Sequence, residues 1–184
     1  MGCGQGTAMT RIFLIWLGLF VALPSLAFAQ EAAKPWSNIA DGDLKLAVLV
    51  TDNADYEKLW YSMPREATPH FSTVKKIDLG QTAFVLALFS GAEVKDGKFQ
   101  IVCEATIKKP NGEVVEVPPT PCFDKPGQGP LTDIRLVDFS LAIKAESQDP
   151  SGLWRIEYRM RDPITSSSCK VEVSVEVDVP DKKT

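Results

Sequence analysis

The chain has 184 residues, 45% of them hydrophobic, and its 20 basic and 24 acidic side chains leave a net charge of −4. That balance excludes the clustered Lys and Arg with which nucleic-acid binders neutralise phosphates. A single histidine, with no C-x-x-C and no H-x-x-x-H spacing, leaves no zinc motif.

Residues 1–29 read as a secretory leader. Arg11 precedes an unbroken apolar run over 12–23, Pro24 and Ser25 follow, and Ala27-Phe28-Ala29 places small residues where a signal peptidase inspects them, so the mature start is expected at Gln30. The alternative is a retained anchor, because 12–29 carries no charge and approaches the roughly 20 apolar residues that span a bilayer. "MGCGQGT" departs from the N-myristoylation pattern at Gly6, and Cys3 stands ahead of the apolar run. Starting translation at Met9 rather than Met1 would leave the compact leader "MTR". Cleavage removes one arginine and no acid, for 19 basic against 24 acidic side chains and a net of −5. The remaining chain of about 155 residues suffices for one domain and carries no membrane span. Export to the periplasm or the cell exterior is expected. The lack of any N-x-[ST] sequon among Asn38, Asn53 and Asn111 points to a bacterial setting.

Residues 30–43, polar and broken by Pro35 and Gly42, read as a linker. An apolar strand follows at 44–50. The period then changes: Tyr56, Leu59, Trp60 and Met63 form one helical stripe, Asp52 or Asn53 is available as N-cap and Pro64 ends it, so a short helix is expected over 53–63, lying across an open end of a sheet. An exposed aromatic groove is the alternative use of that stripe. Residues 81–89 are apolar throughout and short enough for a buried strand. Over 99–108, Phe99, Ile101, Cys103, Ala105 and Ile107 alternate with polar residues, Val102 excepted. Asn111-Gly112 closes a hairpin whose return covers 114–117. Residues 118–130, with five prolines and two glycines, cannot form an inner strand. Alternation resumes over 134–143 through Val137, Phe139, Leu141 and Ile143, then in Trp154, Ile156, Tyr158 and Met160, and finally in Val171, Val173, Val175, Val177 and Val179.

About seven strands, mostly antiparallel and each half apolar, must bury their faces on one another. The expected fold is all-β: an immunoglobulin-like antiparallel two-sheet sandwich over 44–179 with one short helix near 53–63 and a tail at 180–184. "DPSGLWRIEYRMRD" (149–162), followed by the valine-alternating strand, resembles the D-P-x-G-x-[YW]-x-[IV]-x-[VY] pattern of extracellular sandwich modules, including fibronectin-like and macroglobulin-type domains. The resemblance covers about 30 residues and implies a tight turn delivering an aromatic core residue; it implies fold alone.

Three cysteines follow the leader, Cys103, Cys122 and Cys169, and in an oxidising compartment an odd number predicts one disulfide and one leftover thiol. Cys103 and Cys122 flank Asn111-Gly112 almost symmetrically and are the first expected pair; Cys122 with Cys169 is the second. Pairing would pin the Pro-rich segment, making Pro119, Pro121 and Phe123 candidates for partner docking or protease inhibition. Arg155, Arg159 and Arg161 share one strand face with Glu157, either as an anion or partner patch or as a solvated face paired to Glu172 and Glu176. His70 lacks a neighbouring nucleophile motif, although a hydrolase or metal-dependent enzyme using it is the rival reading. Met63, His70, Met160 and a free thiol form no copper motif, and Asp41, Asp43, Asp52 and Asp55 fit turn and capping roles rather than calcium spacing. The expectation is therefore a non-catalytic exported protein without cofactor or metal, binding a protein partner of the cell envelope.

Overall fold

The computed structural model describes residues 31–64 and 70–180; the leader over 1–29 and residues 181–184 of the expected tail lie outside them. The described elements are β1 (Trp36–Asp41), β2 (Leu44–Thr51), α1 (Tyr56–Ser62), β3 (Lys76–Asp78), β4 (Thr82–Ser90), β5 (Ile101–Lys108), β6 (Val114–Phe123), β7 (Arg135–Leu136), β8 (Leu141–Lys144), β9 (Gly152–Asp162) and β10 (Ser167–Asp178). One sheet runs β1-β2-β4, with β7 and β8 both on the far side of β4; the other runs β3-β10-β9-β5-β6. Every pairing is antiparallel except β3 with β10. The fold is an all-β two-sheet sandwich with one short helix.

Period-two patterning builds the second sheet. The valines of β10 and the inward residues Trp154, Ile156, Tyr158 and Met160 of β9 are all buried, with Val173 paired opposite Ile156. They meet Leu44, Leu46, Val48 and Val50 of β2 and Ala83, Val85, Ala87 and Phe89 of β4. Each large aliphatic side chain sealed there contributes about 1.5–3 kcal/mol relative to exposure. Within this apolar layer Tyr158 is fully buried and its hydroxyl has no hydrogen-bond partner. Burial pushes its phenol pKa far up. Tyr158→Phe is expected to raise stability by about 1 kcal/mol, because an unsatisfied buried hydroxyl carries a desolvation penalty. A thermal melt that falls rather than rises would contradict this.

The unbroken apolar run of β4 has a direct cause: both of its faces are covered. Phe84, Leu86 and Leu88 point away from the main core and form a second cluster with Tyr56, Phe71 and Leu136, against which Leu59 and Trp60 pack. The helix therefore lies over the outer face of the β2–β4 sheet, not over a sheet end as its stripe suggested. Tyr56 tilts on Phe84 at 5.5 Å, Trp60 stacks on Phe71 at 6.2 Å, and the Tyr56 hydroxyl meets Ser140 Oγ at 2.7 Å.

Two other expectations need correction. The supposed linker contains β1, which pairs with β2 from Trp36 opposite Leu49 to Asp41 opposite Leu44, around a turn where Gly42 takes φ +60°. Just before it the chain changes sheets. The Ser174 N–H donates to the Lys34 carbonyl at 2.8 Å, and the Val50 N–H donates to the Pro35 carbonyl at 2.7 Å, so one residue carries the backbone from the rim of β10 to that of β2. The second correction concerns 134–143, which is not one strand. After β7 the Val137 N–H still reaches Ala87, but the Asp138 N–H donates to Cys122 of β6, which draws the chain off β4 until β8 resumes the pairing.

Candidate functional site

Across β5, β9 and β10 the register places Arg159 between Glu104 and Lys170, and Glu157 between Thr106 and Glu172. Arg159 Nη1 donates to Glu104 Oε1 at 2.8 Å, Arg161 lies 3.9 Å from the same carboxylate, Arg155 lies 3.9 Å from Glu172, and Lys170 binds Glu157 at 2.8 Å. The hydrogen bond from Lys170 holds the Glu157 carboxyl below its usual range. All three arginines are thus engaged by carboxylates in a solvated cross-strand lattice, each such pair worth about 0–1 kcal/mol at the surface. Glu172 joins it as expected, while Glu176 pairs in register with Leu153.

The Cys103–Cys122 disulfide joins β5 to β6, and Cys169 is free and buried. The Pro-rich stretch is less of a loop than its composition implied, because 118–123 belong to β6. This strand occupies the sheet edge, the place in a sheet where prolines are tolerated. Pro119 and Pro121 are exposed. Phe123, expected to be available to a partner, is instead core: register shifts near Ile101 and Cys103 turn it inward, 5.0 Å from Phe89 and 5.8 Å from Phe99.

At the hairpin tip, Lys109 Nζ lies 2.9 Å from Glu113 and 3.1 Å from Asp149, and 4.7 Å above the Trp154 ring, whose Nε1–H donates to the Pro150 carbonyl. This ties the β5–β6 turn to the D-P-S-G turn ahead of β9. Burial opposes the charge on Lys109, but its hydrogen bonds to Glu113 and Asp149 outweigh that and raise its pKa above the usual lysine value. A raised lysine pKa stabilises the fold fully below the unfolded value of about 10.4 and loses that contribution as pH rises through the folded value. Lys109→Met is expected to cost about 2 kcal/mol at neutral pH and to flatten the alkaline fall in stability, read from urea midpoints across pH 8–12.

His70 is exposed, and no described residue hydrogen-bonds or ion-pairs with it. Among the described residues no cluster of three His, Cys, Asp or Glu side chains gathers to hold a metal. Asn53 Oδ1 accepts the Asp55 N–H in a local turn, but Asp41 accepts the Ser168 N–H at 2.8 Å across 127 residues of sequence, and the helix is capped by Asp55, without a side-chain cap hydrogen bond, rather than by Asp52 or Asn53. Met160 is fully buried, and the Cys169 thiol, its pKa raised by burial, lies 3.5 Å from the Leu44 carbonyl.

Sequence reasoning passed over a groove of about 460 Å³ at the sheet-switching corner. Lys34 and Lys75 both accept N–H bonds from β10, at Ser174 and Glu176, so two chain segments meet along one rim and leave a notch. Trp36 stands at its edge, 56% exposed, beside Ser37, Asn38 and Thr73. The available signal was a tryptophan in a largely polar stretch broken by Pro35 and Gly42.

No family model and no curated protein matches the chain. Among solved structures it is similar to a family 123 glycoside hydrolase from Clostridium perfringens, with TM-score 0.44 and 10% identity over 75% of this chain and 28% of that one. It is also similar to a superoxide reductase (neelaredoxin) from Ignicoccus hospitalis, with TM-score 0.37 and 12% identity over 68% and 90% of the two chains. A Niemann-Pick type C2 protein from Japanese carpenter ant gives TM-score 0.37 and 10% identity over 82% and 100%. The chain spans little more than a quarter of the hydrolase, and these likenesses carry no argument about chemistry.

Proposed function

We propose that the chain is an exported, non-catalytic β-sandwich protein acting in the periplasm or outside the cell, in a binding or accessory role alongside another envelope protein. The observation that carries this reading is the Cys103–Cys122 disulfide, a bond that persists in oxidising compartments and is rare in the cytosol. The apolar leader ending in Ala27-Phe28-Ala29 agrees with it. The non-catalytic part rests on an interior filled by side chains such as Phe89, Ile156 and Tyr158, and on a groove whose lining pairs no nucleophile with a base. The inhibitor alternative, which needs 118–130 as a presented loop, has less to work with now that 118–123 lie in β6.

Expression of the whole chain with its leader tests the proposal. The expected product begins at Gln30, carries one disulfide, and exposes the Cys169 thiol to alkylation only after unfolding. An unprocessed cytosolic product with all three downstream thiols alkylated would overturn it.

A further inference from the structure

The geometry points to the Trp36 groove as a binding site for an acidic saccharide, a short carboxylated sugar chain whose ring stacks on the indole while Lys34 and Lys75 take its carboxylates. Tryptophan is ordinarily well buried. Trp154 is 4% exposed and Trp60 packs on Phe71, so Trp36, at 56%, is the outlier among the described tryptophans. It owes its backbone position to the β1–β2 ladder, and its exposure does nothing for the core. The groove beside it falls within the 300–1,000 Å³ typical of small-ligand sites, at about 460 Å³.

The lining chooses among ligands. Its charges are two lysines and no carboxylate, and neither lysine forms an ion pair among the described residues. Two lysines lining one concavity that holds no carboxylate favour an anion. The groove is also lined by Ser37, Asn38 and Thr73, short side chains that donate and accept hydrogen bonds. A pyranose ring matches this set, because its flat C–H face lies against an aromatic plane and its hydroxyls reach outward at the rim. An acidic peptide matches less well. Peptides anchor through pockets for alternate side chains, and the aliphatic lining here is limited to Ala33 and Pro35.

The proposal rests on the binding role given above, and its test separates the two. Purified mature protein is titrated calorimetrically with oligogalacturonate, with a neutral oligosaccharide of equal length, and with an oligo-glutamate peptide. Oligogalacturonate is expected to bind most tightly and to weaken with added salt. Trp36→Ala and Lys75→Gln should each reduce its affinity about tenfold or more, with thermal midpoints unchanged because both side chains are exposed, and Trp36→Tyr should recover part of the loss. No saccharide binding at millimolar concentration, equal binding by Trp36→Ala, or preference for the peptide would overturn the saccharide assignment. A processed, disulfide-bonded protein that binds no sugar leaves the export reading standing, whereas an unprocessed chain that binds oligogalacturonate does the reverse.

Discussion

Replacing Cys103 and Cys122 together by alanine is expected to lower the unfolding free energy by about 3 kcal/mol, the chain-entropy value for a loop of this length. The bridge closes a separation of 19 residues, and β6 is paired to β5 alone. Its hydrogen bonding is further thinned by Pro118, Pro119 and Pro121, which have no N–H to give. The bridge should therefore matter locally as well as globally. In the double variant, amide exchange in β6 should rise to near the free-chain rate while β9 and β10 stay protected. Urea unfolding supplies the global figure, and a change below about 1 kcal/mol would contradict the argument.

Phe89→Ala should be more damaging still, at about 3–5 kcal/mol. Phe89 is 2% exposed and meets Phe99 edge-on at 6.2 Å and Phe123 edge-on at 5.0 Å, while Arg135 caps Phe99 at 4.5 Å. Removing the ring opens a void between the sheets, and the neighbouring rings lose their edge-to-face partner. Phe89→Leu keeps most of the volume and should cost about 1.5 kcal/mol or less beyond the aromatic contacts. Urea midpoints of the two variants against the parent decide the matter, and equal losses would show that packing volume is not what Phe89 supplies.

What the sequence made legible was whatever two-fold or helical periodicity encodes. The valines of β10 and the inward residues of β9 went where their spacing placed them, because burial of one face is a strong constraint on residue type, while the Tyr56 stripe formed its helix but over a sheet face and with Met63 left beyond its end. The disulfide followed from hairpin symmetry. Ser174 shows the limit: by alternation it belongs to the wet side, yet it is 5% exposed because the Lys34 N–H donates to its Oγ. The strand β1 was hidden for the opposite reason. Five of its six residues are exposed, so its pairing with β2 is written in backbone hydrogen bonds that any residue but proline can make. Phe123 was read outward because its prolines marked a loop, and only the irregular register of β6 turns it in. The Trp36 groove combines both obstacles, since it assembles residues from 33–38 with Thr73 and Lys75, brought together by a change of sheet at Pro35.

The prolines of β6 also bear on how the molecule behaves in company. Open sheet rims invite identical molecules to stack, and fibrils grow by that route. Here the second sheet ends on one flank in the three-residue β3 and on the other in a strand with three donors deleted, while the first sheet ends beyond β4 in segments of two and four residues. These three margins are poor templates for polymerisation, whereas β1, the remaining edge of the first sheet, keeps a six-residue rim.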